Sequence, residues 1–351
     1  MDADWQSFLM DAGAAFTGAR LSHFSNLHEE SKAAIAGDIV VDLSHLGLIA
    51  VGGTDATTFL QGQLTNDIRD VCATRAQLSA CCSLKGRVLA NFLIFLRTDS
   101  YFLQLPEELL DPILKRLRLF VLRSDVALTD ASDSLIRMGV SGWNVHNKLQ
   151  QTLGTLPNTV NDVVQPAPLT VIRMRGERPR YEIVGPSMSM KQLWTALAEV
   201  IRPVGPSAWS LLDIHDGIPT ISQETADTFV PQMLNWEVLS GISFTKGCYT
   251  GQEIVARTQY LGKIKRRLYR ARVQATAAVC PGMTLVAVDE QGTRSVGQVV
   301  NAEPQLGDNW DLLAVIATQE AERATIYLQD AQGPALQFAS LPYSLESGMS
   351  T

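Results

Sequence analysis

The spacing of turn signals changes near Gly262, and this change is the feature that most constrains the fold. Downstream of it, short runs of apolar and β-branched residues are separated by pairs of turn-forming residues. The pairs are Pro281-Gly282, Gln291-Gly292, Gly307-Asp308 and Gln332-Gly333. Short strands joined by turns at this spacing favour an antiparallel sheet. We therefore predict a small antiparallel β-barrel over residues 263–346.

Upstream of this point, strands and helices are mixed without the regular alternation that produces a parallel sheet. Apolar spacing predicts one or two helices within 1–37, further helices ending near Leu64 and over 107–119, 144–153 and 190–202, and strands within 38–51, 78–84, 87–97, 101–105, 135–140, 169–175 and 181–184. The pattern repeats in outline from about Val126. We predict an α+β class in which residues 1–262 form two mixed lobes, the second covering roughly 126–205.

Composition narrows the functional classes. The chain has 351 residues, 46% of them hydrophobic and 19% charged, which is typical of a globular protein of two to three domains. Its net charge of −7 argues against generic nucleic-acid binding, which needs an extended basic face. Five cysteines without framework spacing favour a reducing compartment, and neither a secretory signal nor a membrane span is visible. We expect a cytoplasmic protein.

One cysteine has chemically distinctive neighbours. The segment Lys246-Gly247-Cys248-Tyr249-Thr250-Gly251-Gln252-Glu253 places Cys248 between a lysine and a predicted helix start. A nearby cation and a helix N-terminus both favour the thiolate, which is the reactive form of cysteine. Thr250 and Glu253 have the spacing of a capping box. The alternative is an inert cysteine beside an ordinary turn, since free cysteine is often buried.

This segment also carries a family resemblance. The run from Phe229 to Thr258, FVPQMLNWEVLSGISFTKGCYTGQEIVART, resembles the signature of the folate-binding YgfZ proteins, which belong to the superfamily of the glycine cleavage aminomethyltransferase (T-protein). Similar blocks are Phe59–Asp67, Lys85-Gly86-Arg87 with Asn91, Gly217-Ile218-Pro219 and Leu341–Glu346. The resemblance covers roughly residues 40–346. It implies two intertwined mixed α/β lobes followed by the barrel, with tetrahydrofolate in a central opening.

The resemblance implies four folate-binding residues, which are Trp209, Asn66, Asp67 and Asn91. Trp209 matches a pocket tryptophan on which a pterin could stack, although it could equally be a plain core residue. Asn66 and Asp67 match a turn that faces the pocket, where they either bind the cofactor or cap the turn. A second pocket aromatic of the relatives is Leu46 here.

Asn91 marks a departure from the aminomethyltransferases, which carry an aspartate at this place. An amide neither accepts a proton at neutral pH nor offers a full negative charge to a cationic transition state. We therefore expect little glycine-cleavage activity. The resemblance instead implies a protein that supports the assembly or repair of iron–sulfur enzymes, including radical-SAM enzymes that methylthiolate tRNA.

This implied function assigns a role to each residue of the motif. Cys248 engages a sulfur-bearing or cluster-bearing partner, or resolves a damaged adduct, and Lys246 lowers its pKa. Gly247 and Gly251 let the backbone turn sharply around the thiol, and Tyr249 completes the motif. Gln252 and Glu253 fix the loop, and Arg257 supplies a positive anchor.

Two other functions stay open. One is a folate-dependent one-carbon transferase, against which Asn91 argues. The other is a non-catalytic module that docks partners through the basic stretch 263–272, whose alternative interpretation is the solvated face of a strand.

The remaining cysteines and the histidines indicate no metal site. Cys81 and Cys82 are adjacent and point to opposite faces of a strand. Cys72 and Cys280 are isolated, and we interpret both as core residues. The five histidines lack metal-ligand spacing, and His215 is interpreted as a hydrogen-bonded polar residue.

Overall fold

The computed structural model describes residues 1–260, 262, 264–289 and 292–345. The helices are α1 (Ala3–Asp11), α2 (Leu27–Ala36), α3 (Ala56–Gln63), α4 (Glu107–Leu119), α5 (Val145–Leu153), α6 (Ser187–Ala198), α7 (Pro206–His215), α8 (Gln252–Tyr260) and α9 (Thr318–Arg323), with 3₁₀ segments at Ile68–Asp70 and Pro231–Leu234. Three predicted positions lie outside the described residues: Lys263 in the basic stretch, Gln291 in a turn, and Glu346 at the end of the barrel.

The strands follow the same chain order. They are β1 (Ala15–Thr17), β2 (Arg20–His23), β3 (Ile39–Asp42), β4 (Leu46–Gly52), β5 (Gln77–Cys82), β6 (Val88–Arg97), β7 (Ser100–Pro106), β8 (Ala127–Asp130), β9 (Ile136–Ser141), β10 (Val163–Val164), β11 (Thr170–Met174), β12 (Arg180–Gly185), β13 (Arg202–Val204), β14 (Arg266–Gln274), β15 (Thr284–Asp289), β16 (Gly292–Pro304), β17 (Asn309–Ala317), β18 (Ile326–Leu328) and β19 (Gln337–Ala339).

The chain divides into two compact units, each assembled from separate segments. The first contains Met1–Leu60, Ile68–Gln77 and Phe92–Leu212. The second contains Gln61–Asp67, Leu78–Asn91 and the described residues from Asp213 onward. The predicted boundaries of the second lobe, 126 and 205, and the predicted domain boundary at 262 stay predictions.

The first unit is built on a six-stranded sheet of order β10-β11-β12-β9-β3-β13. Its strands pair antiparallel except β13 with β3, which is parallel. In the same unit the second half of β6 pairs with β7, β7 with β4, and β4 with β8. Helices pack on mostly antiparallel sheets, which confirms the predicted α+β class.

Helix α4 shows why local patterns predicted some elements well. Its bounds equal the predicted 107–119. The buried residues lie at helical spacing and are Leu109, Leu110, Ile113, Leu114 and Leu117. Two glutamates lie in the first turn and two arginines in the last, where their charges interact favourably with the helix dipole.

One predicted helix end is wrong, and one segment predicted as helical also contains a hairpin. Helix α6 ends at Ala198 rather than at 202, because Arg202 begins β13 and its amide donates to the Asp38 carbonyl at 3.1 Å. Pro203 could not continue the helix in any case. The segment 1–37 holds the predicted helices, but a β1–β2 hairpin separates them.

The second unit contains the β5–β6 hairpin and a six-stranded sheet of order β18-β15-β16-β17-β14-β19. The latter is antiparallel throughout and curls into a half-barrel, which confirms the predicted C-terminal β architecture. Its buried face is aliphatic, with Leu285, Leu312 and Ile316 fully buried. The predicted hairpin turn at Lys85-Gly86 is also confirmed, because the Gly86 amide donates to the Ser83 carbonyl at 2.9 Å.

Candidate functional site

Cys248 lies on an exposed loop of the second unit, four residues before α8. Its flanking residues differ sharply, since Lys246 and Tyr249 are 6% and 7% exposed while Gly247 is exposed. A β-carbon built on Gly247 would meet no atom within 4 Å. The thiol is therefore accessible on a loop that is anchored on both sides.

Lys246 anchors the loop at the end of α3. Its ammonium donates to the carbonyls of Gln61, Leu64 and Asn66 at 2.8, 2.6 and 2.9 Å. Gln61 belongs to the last turn of α3, and Leu64 and Asn66 follow it. The last carbonyls of a helix have no partner within the helix, and a cation there is favoured by the helix dipole. Since an ammonium has three donors, these carbonyls use all of them. The predicted effect of Lys246 on the pKa of Cys248 stays a prediction.

The backbone of the loop adds a fourth contact with the end of α3. The Thr250 amide donates to the Gly62 carbonyl at 3.3 Å. The motif thus caps α3 and ties the block Phe59–Asp67 to the cysteine segment. The predicted capping box is wrong by one residue. Helix α8 begins at Gln252, and the Gly251 carbonyl accepts from the Val255 amide, so Gly251 rather than Thr250 occupies the N-cap.

Tyr249 anchors the other side of the thiol. The Lys246 Nζ lies 5.1 Å from the centre of its ring, a cation–π distance. Its hydroxyl is shielded and has no partner among the described residues. Burial raises the pKa of Tyr249 above its usual range, and charge on the nearby Cys82 sulfur adds to the rise. The phenol therefore stays neutral.

Gly251 joins the loop to the β5–β6 hairpin. It has a φ of +83°, and a β-carbon there would lie 2.4 Å from the Ser83 carbonyl oxygen. Only glycine tolerates both the backbone conformation and the contact. On the hairpin side, Gly86 packs against Ile254 of α8, and a β-carbon on Gly86 would lie 2.7 Å from that side chain.

The other motif side chains point to solvent. Glu253 and Arg257 are exposed and Gln252 is half-buried. Within the described part of the chain, no hydrogen bond or ion pair of these side chains holds the loop. The loop is fixed instead by Lys246, Tyr249 and Gly251, and the anchoring role of Arg257 stays a prediction.

Asn66 is bonded to the protein itself. Its Nδ2 donates to the carbonyls of Leu78 and Ser240 at 2.9 and 2.8 Å, and its Oδ1 accepts from the Asp67 amide at 3.0 Å. Both amide donors are therefore used in shaping the turn. Asp67 is 9% exposed and accepts from the Gln61 side chain at 3.1 Å.

Asn91 forms a two-point bridge to the Gly217-Ile218-Pro219 block. Its Nδ2 donates to the Pro219 carbonyl and its Oδ1 accepts from the Ile221 amide, both at 2.9 Å. A carboxylate could accept from Ile221 but could not donate to Pro219. The amide therefore satisfies both backbone groups, whereas a carboxylate would satisfy one.

Two residues of this network were not predicted from the sequence. Asn301 makes a second two-point bridge, to the amide and carbonyl of Thr220, both at 2.9 Å. Thr65 is fully buried, and its hydroxyl donates to the Gly241 carbonyl at 2.8 Å and accepts from the Ala80 amide at 2.9 Å. Thr65 could have been found from the sequence, because it lies within the Phe59–Asp67 block that resembles the family. Asn301 is a single polar residue on a strand, and no sequence pattern marks it.

Trp209 lies in the first unit, in the core cluster with Ile39, Val41 and Val204. It is 3% exposed, and the Arg180 guanidinium lies 4.0 Å from its ring centre. A β-carbon on Gly139 would lie 2.5 Å from the ring, so backbone covers it there. A pterin could stack on this ring only if one of these groups moved, and the folate-binding role stays a prediction.

Two arginines of the basic stretch are paired with carboxylates of their own unit. Arg267 pairs with Glu237, and Arg272 donates to Asp311 at 2.7 Å. Arg270 donates to the His215 carbonyl at 3.5 Å. These two pairs lower the net charge of the strand, while the docking alternative stays a prediction.

The interpretation of Cys72 and Cys280 as core residues is wrong, because both are exposed. A hydrogen bond with the Thr74 hydroxyl, 3.4 Å from the sulfur, lowers the pKa of Cys72. Cys81 and Cys82 are buried. In the described part of the chain, no group of three or more His, Cys, Asp or Glu side chains could hold a metal ion. Of the helices described, none combines the length and apolar character needed to cross a bilayer.

Comparison with known proteins places these features in a family. The GCVT N-terminal domain family matches residues 7–242. The tRNA-modifying protein YgfZ of Colwellia psychrerythraea is 31% identical over 322 residues, covering 87% of this chain and 93% of its own. The protein of the same name from Yersinia pseudotuberculosis is 32% identical over 308 residues, covering 87% and 92%. The chain belongs to the YgfZ family.

The fold has a solved counterpart beyond the YgfZ family. The glycine cleavage system aminomethyltransferase T of Bartonella henselae superimposes with a TM-score of 0.77 over 98% of each chain. Its sequence is 16% identical, so this likeness concerns the fold alone. This chain and that aminomethyltransferase thus share an architecture.

Proposed function

We propose that this chain is a tetrahydrofolate-binding protein that supports tRNA modification by assembling or repairing iron–sulfur enzymes, among them the radical enzymes that methylthiolate tRNA. The observation that carries the proposal is an exposed Cys248 on a loop held by buried neighbours. The relatives' description as tRNA-modifying proteins supports the same conclusion.

The loop suits a thiol that meets a macromolecule. Lys246 and Tyr249 hold the backbone on both sides of Cys248, and the space beside Gly247 is open. A fixed position reduces the entropy lost when a partner binds. As thiolate, Cys248 would donate an electron pair to a cluster iron of the partner while its proton passes to water.

Tetrahydrofolate enters the proposal through the family, and the four predicted residues fit direct contact poorly. The amides of Asn66 and Asn91 are bonded to the chain's own backbone, and Trp209 is covered by Arg180. Asp67 is nearly buried. We propose that these residues shape their surroundings and that other atoms contact the cofactor, and we assign no chemical step to it.

Complementation tests the role of the thiol. In a strain lacking the protein, Cys248→Ser is expected to leave methylthiolated tRNA nucleosides near the level of the empty strain. Cys280→Ser, which alters another exposed cysteine of the same unit, should restore them. Full restoration by Cys248→Ser would refute the thiol role.

Two further assays separate the parts of the proposal. Quenching of tryptophan fluorescence by tetrahydrofolate should saturate, and no quenching would remove folate from the proposal while leaving the thiol role intact. Formation of methylene-tetrahydrofolate from an aminomethyl donor should be undetectable, because Asn91 supplies no carboxylate. Turnover in that assay would favour the transferase alternative.

A further inference from the structure

The second unit contains a cavity that the Cys248 loop does not line. It has a volume of about 360 Å³ and lies where β14, β17 and β19 meet the turn after β16. Its polar lining residues are Arg272, Gln274, Gln305, Asn309, Asp311 and Gln337. This volume falls at the lower end of the range for small-molecule sites, about 300–1,000 Å³.

A buried carboxylate holds the guanidinium of Arg272 in a fixed orientation. Asp311 is fully buried and lies 2.6 Å from His215 Nε2 and 2.7 Å from Arg272 Nε. Burial opposes ionisation of Asp311, but its hydrogen bonds with His215 and Arg272 outweigh burial and hold its pKa below the usual range. The pair therefore stays ionic at neutral pH.

This arrangement leaves one edge of the guanidinium available. Arg272 uses Nε for Asp311, and no residue in the described ranges accepts a hydrogen bond from its two Nη atoms. Its side chain is 56% exposed, so a ligand can reach these atoms from solution. Two parallel N–H groups on a fixed plane match the oxygens of a carboxylate or phosphate.

Gln305 contributes a second donor without a partner. Its Nε2 is shielded from solvent and bonds to nothing among the described residues. The turn that carries it is well fixed, because the Gln305 amide donates to the Asn309 carbonyl at 2.7 Å and Asn309 Nδ2 to the Leu306 carbonyl at 2.9 Å. A buried amide donor is costly unless some acceptor is supplied from outside the chain.

We propose that this cavity binds a small organic anion, whose carboxylate or phosphate accepts hydrogen bonds from the Arg272 Nη atoms and, after rotation of the Gln305 side chain into the cavity, from Gln305 Nε2. The uncharged remainder of the ligand fills the space beside Asn309 and Gln337. The inference is independent of the role proposed for Cys248, which lines no part of this cavity.

Calorimetric titration of the full chain with paired probes tests the proposal. The probes are butyrate against butyramide, and ribose 5-phosphate against ribose. At least one anion should bind at millimolar concentration or below, and its neutral counterpart at least about tenfold more weakly, a difference of about 1.4 kcal/mol. The preferred member identifies the group as carboxylate or phosphate. Equal binding of anion and neutral probe, or no binding, would overturn the proposal.

Variants then locate the site. Arg272→Gln and Gln305→Met should each weaken the anion at least about tenfold, whereas Arg294→Gln, which alters an arginine of the same unit paired with Glu320, should leave it unchanged. Gln305→Met guards against misfolding, because removing a donor without a partner should leave the melting temperature equal or higher. Wild-type affinity in a folded Gln305→Met protein would refute the assignment.

Discussion

Lys246→Met should destabilise the second unit by removing the cap on α3. Three carbonyls, at 2.6–2.9 Å from the ammonium, would lose their donor inside a region where Lys246 is only 6% exposed. An orphaned buried polar group costs about 1–3 kcal/mol, so three such carbonyls predict a loss of at least about 3 kcal/mol. That is a large fraction of a typical free energy of unfolding, about 5–15 kcal/mol.

Urea unfolding followed by circular dichroism measures this loss. Lys85→Met is the matched control, because Lys85 is exposed and its replacement should change the free energy of unfolding by less than about 0.5 kcal/mol. Lys246→Arg should fail to restore stability, since a planar guanidinium cannot direct three donors from one point to these carbonyls. A Lys246→Met protein as stable as the wild type would refute the capping role.

Three further predictions concern single substitutions and pH. Gly251→Ala should lower the free energy of unfolding in urea by about 2 kcal/mol or more, because position 251 has a positive φ and a β-carbon there would meet the Ser83 carbonyl, whereas Gly247→Ala should leave it unchanged. Asn91→Asp should lower the free energy of unfolding by about 2 kcal/mol at pH 7, because it leaves the Pro219 carbonyl without a donor. Part of this loss should be regained below pH 4, when the carboxylic acid is protonated and can donate. Unchanged stability in the same assay would contradict the bridge. Burial, followed by the charges of nearby arginines, lowers the pKa of His45 to about 4. The stability that the neutral His45 ring gives the folded protein is therefore complete above about pH 6.5 and is lost as the pH falls towards 4. Since the ring is half-buried, we expect this loss in the free energy of unfolding to be about 2 kcal/mol. It is measured as the difference in pH dependence between the wild type and His45→Gln.

Elements with local signals were predicted well. Helix α4 has its apolar positions and terminal charges within its own thirteen residues, so its bounds could be read directly. The hairpin at Gly86 was equally local. Helix α6 was predicted too long because its end depends on β13 pairing with β3, whose residues lie more than 150 positions earlier in the chain.

The candidate site was found from the sequence, but the bonds of its polar groups were not. Lys246 was noticed for its proximity to Cys248, yet its acceptors lie 180 to 185 residues away. Asn91 was noticed as a missing carboxylate, whereas its bridge to Pro219 and Ile221 shows what an amide does there. Exposure of Cys72 and Cys280 was likewise mispredicted, because burial depends on which distant segments pack nearby.

The amino-acid sequence by itself determined the α+β class, the antiparallel C-terminal sheet, the family and the cysteine motif. These follow from periodicity and from residues that are neighbours along the chain. Only the tertiary structure decided that the motif caps α3, that Gly251 rests on the β5–β6 hairpin, and that Arg272 borders a cavity. Those contacts join segments far apart in the chain, and a hydrogen-bonding side chain does not reveal its partner until folding brings the two together.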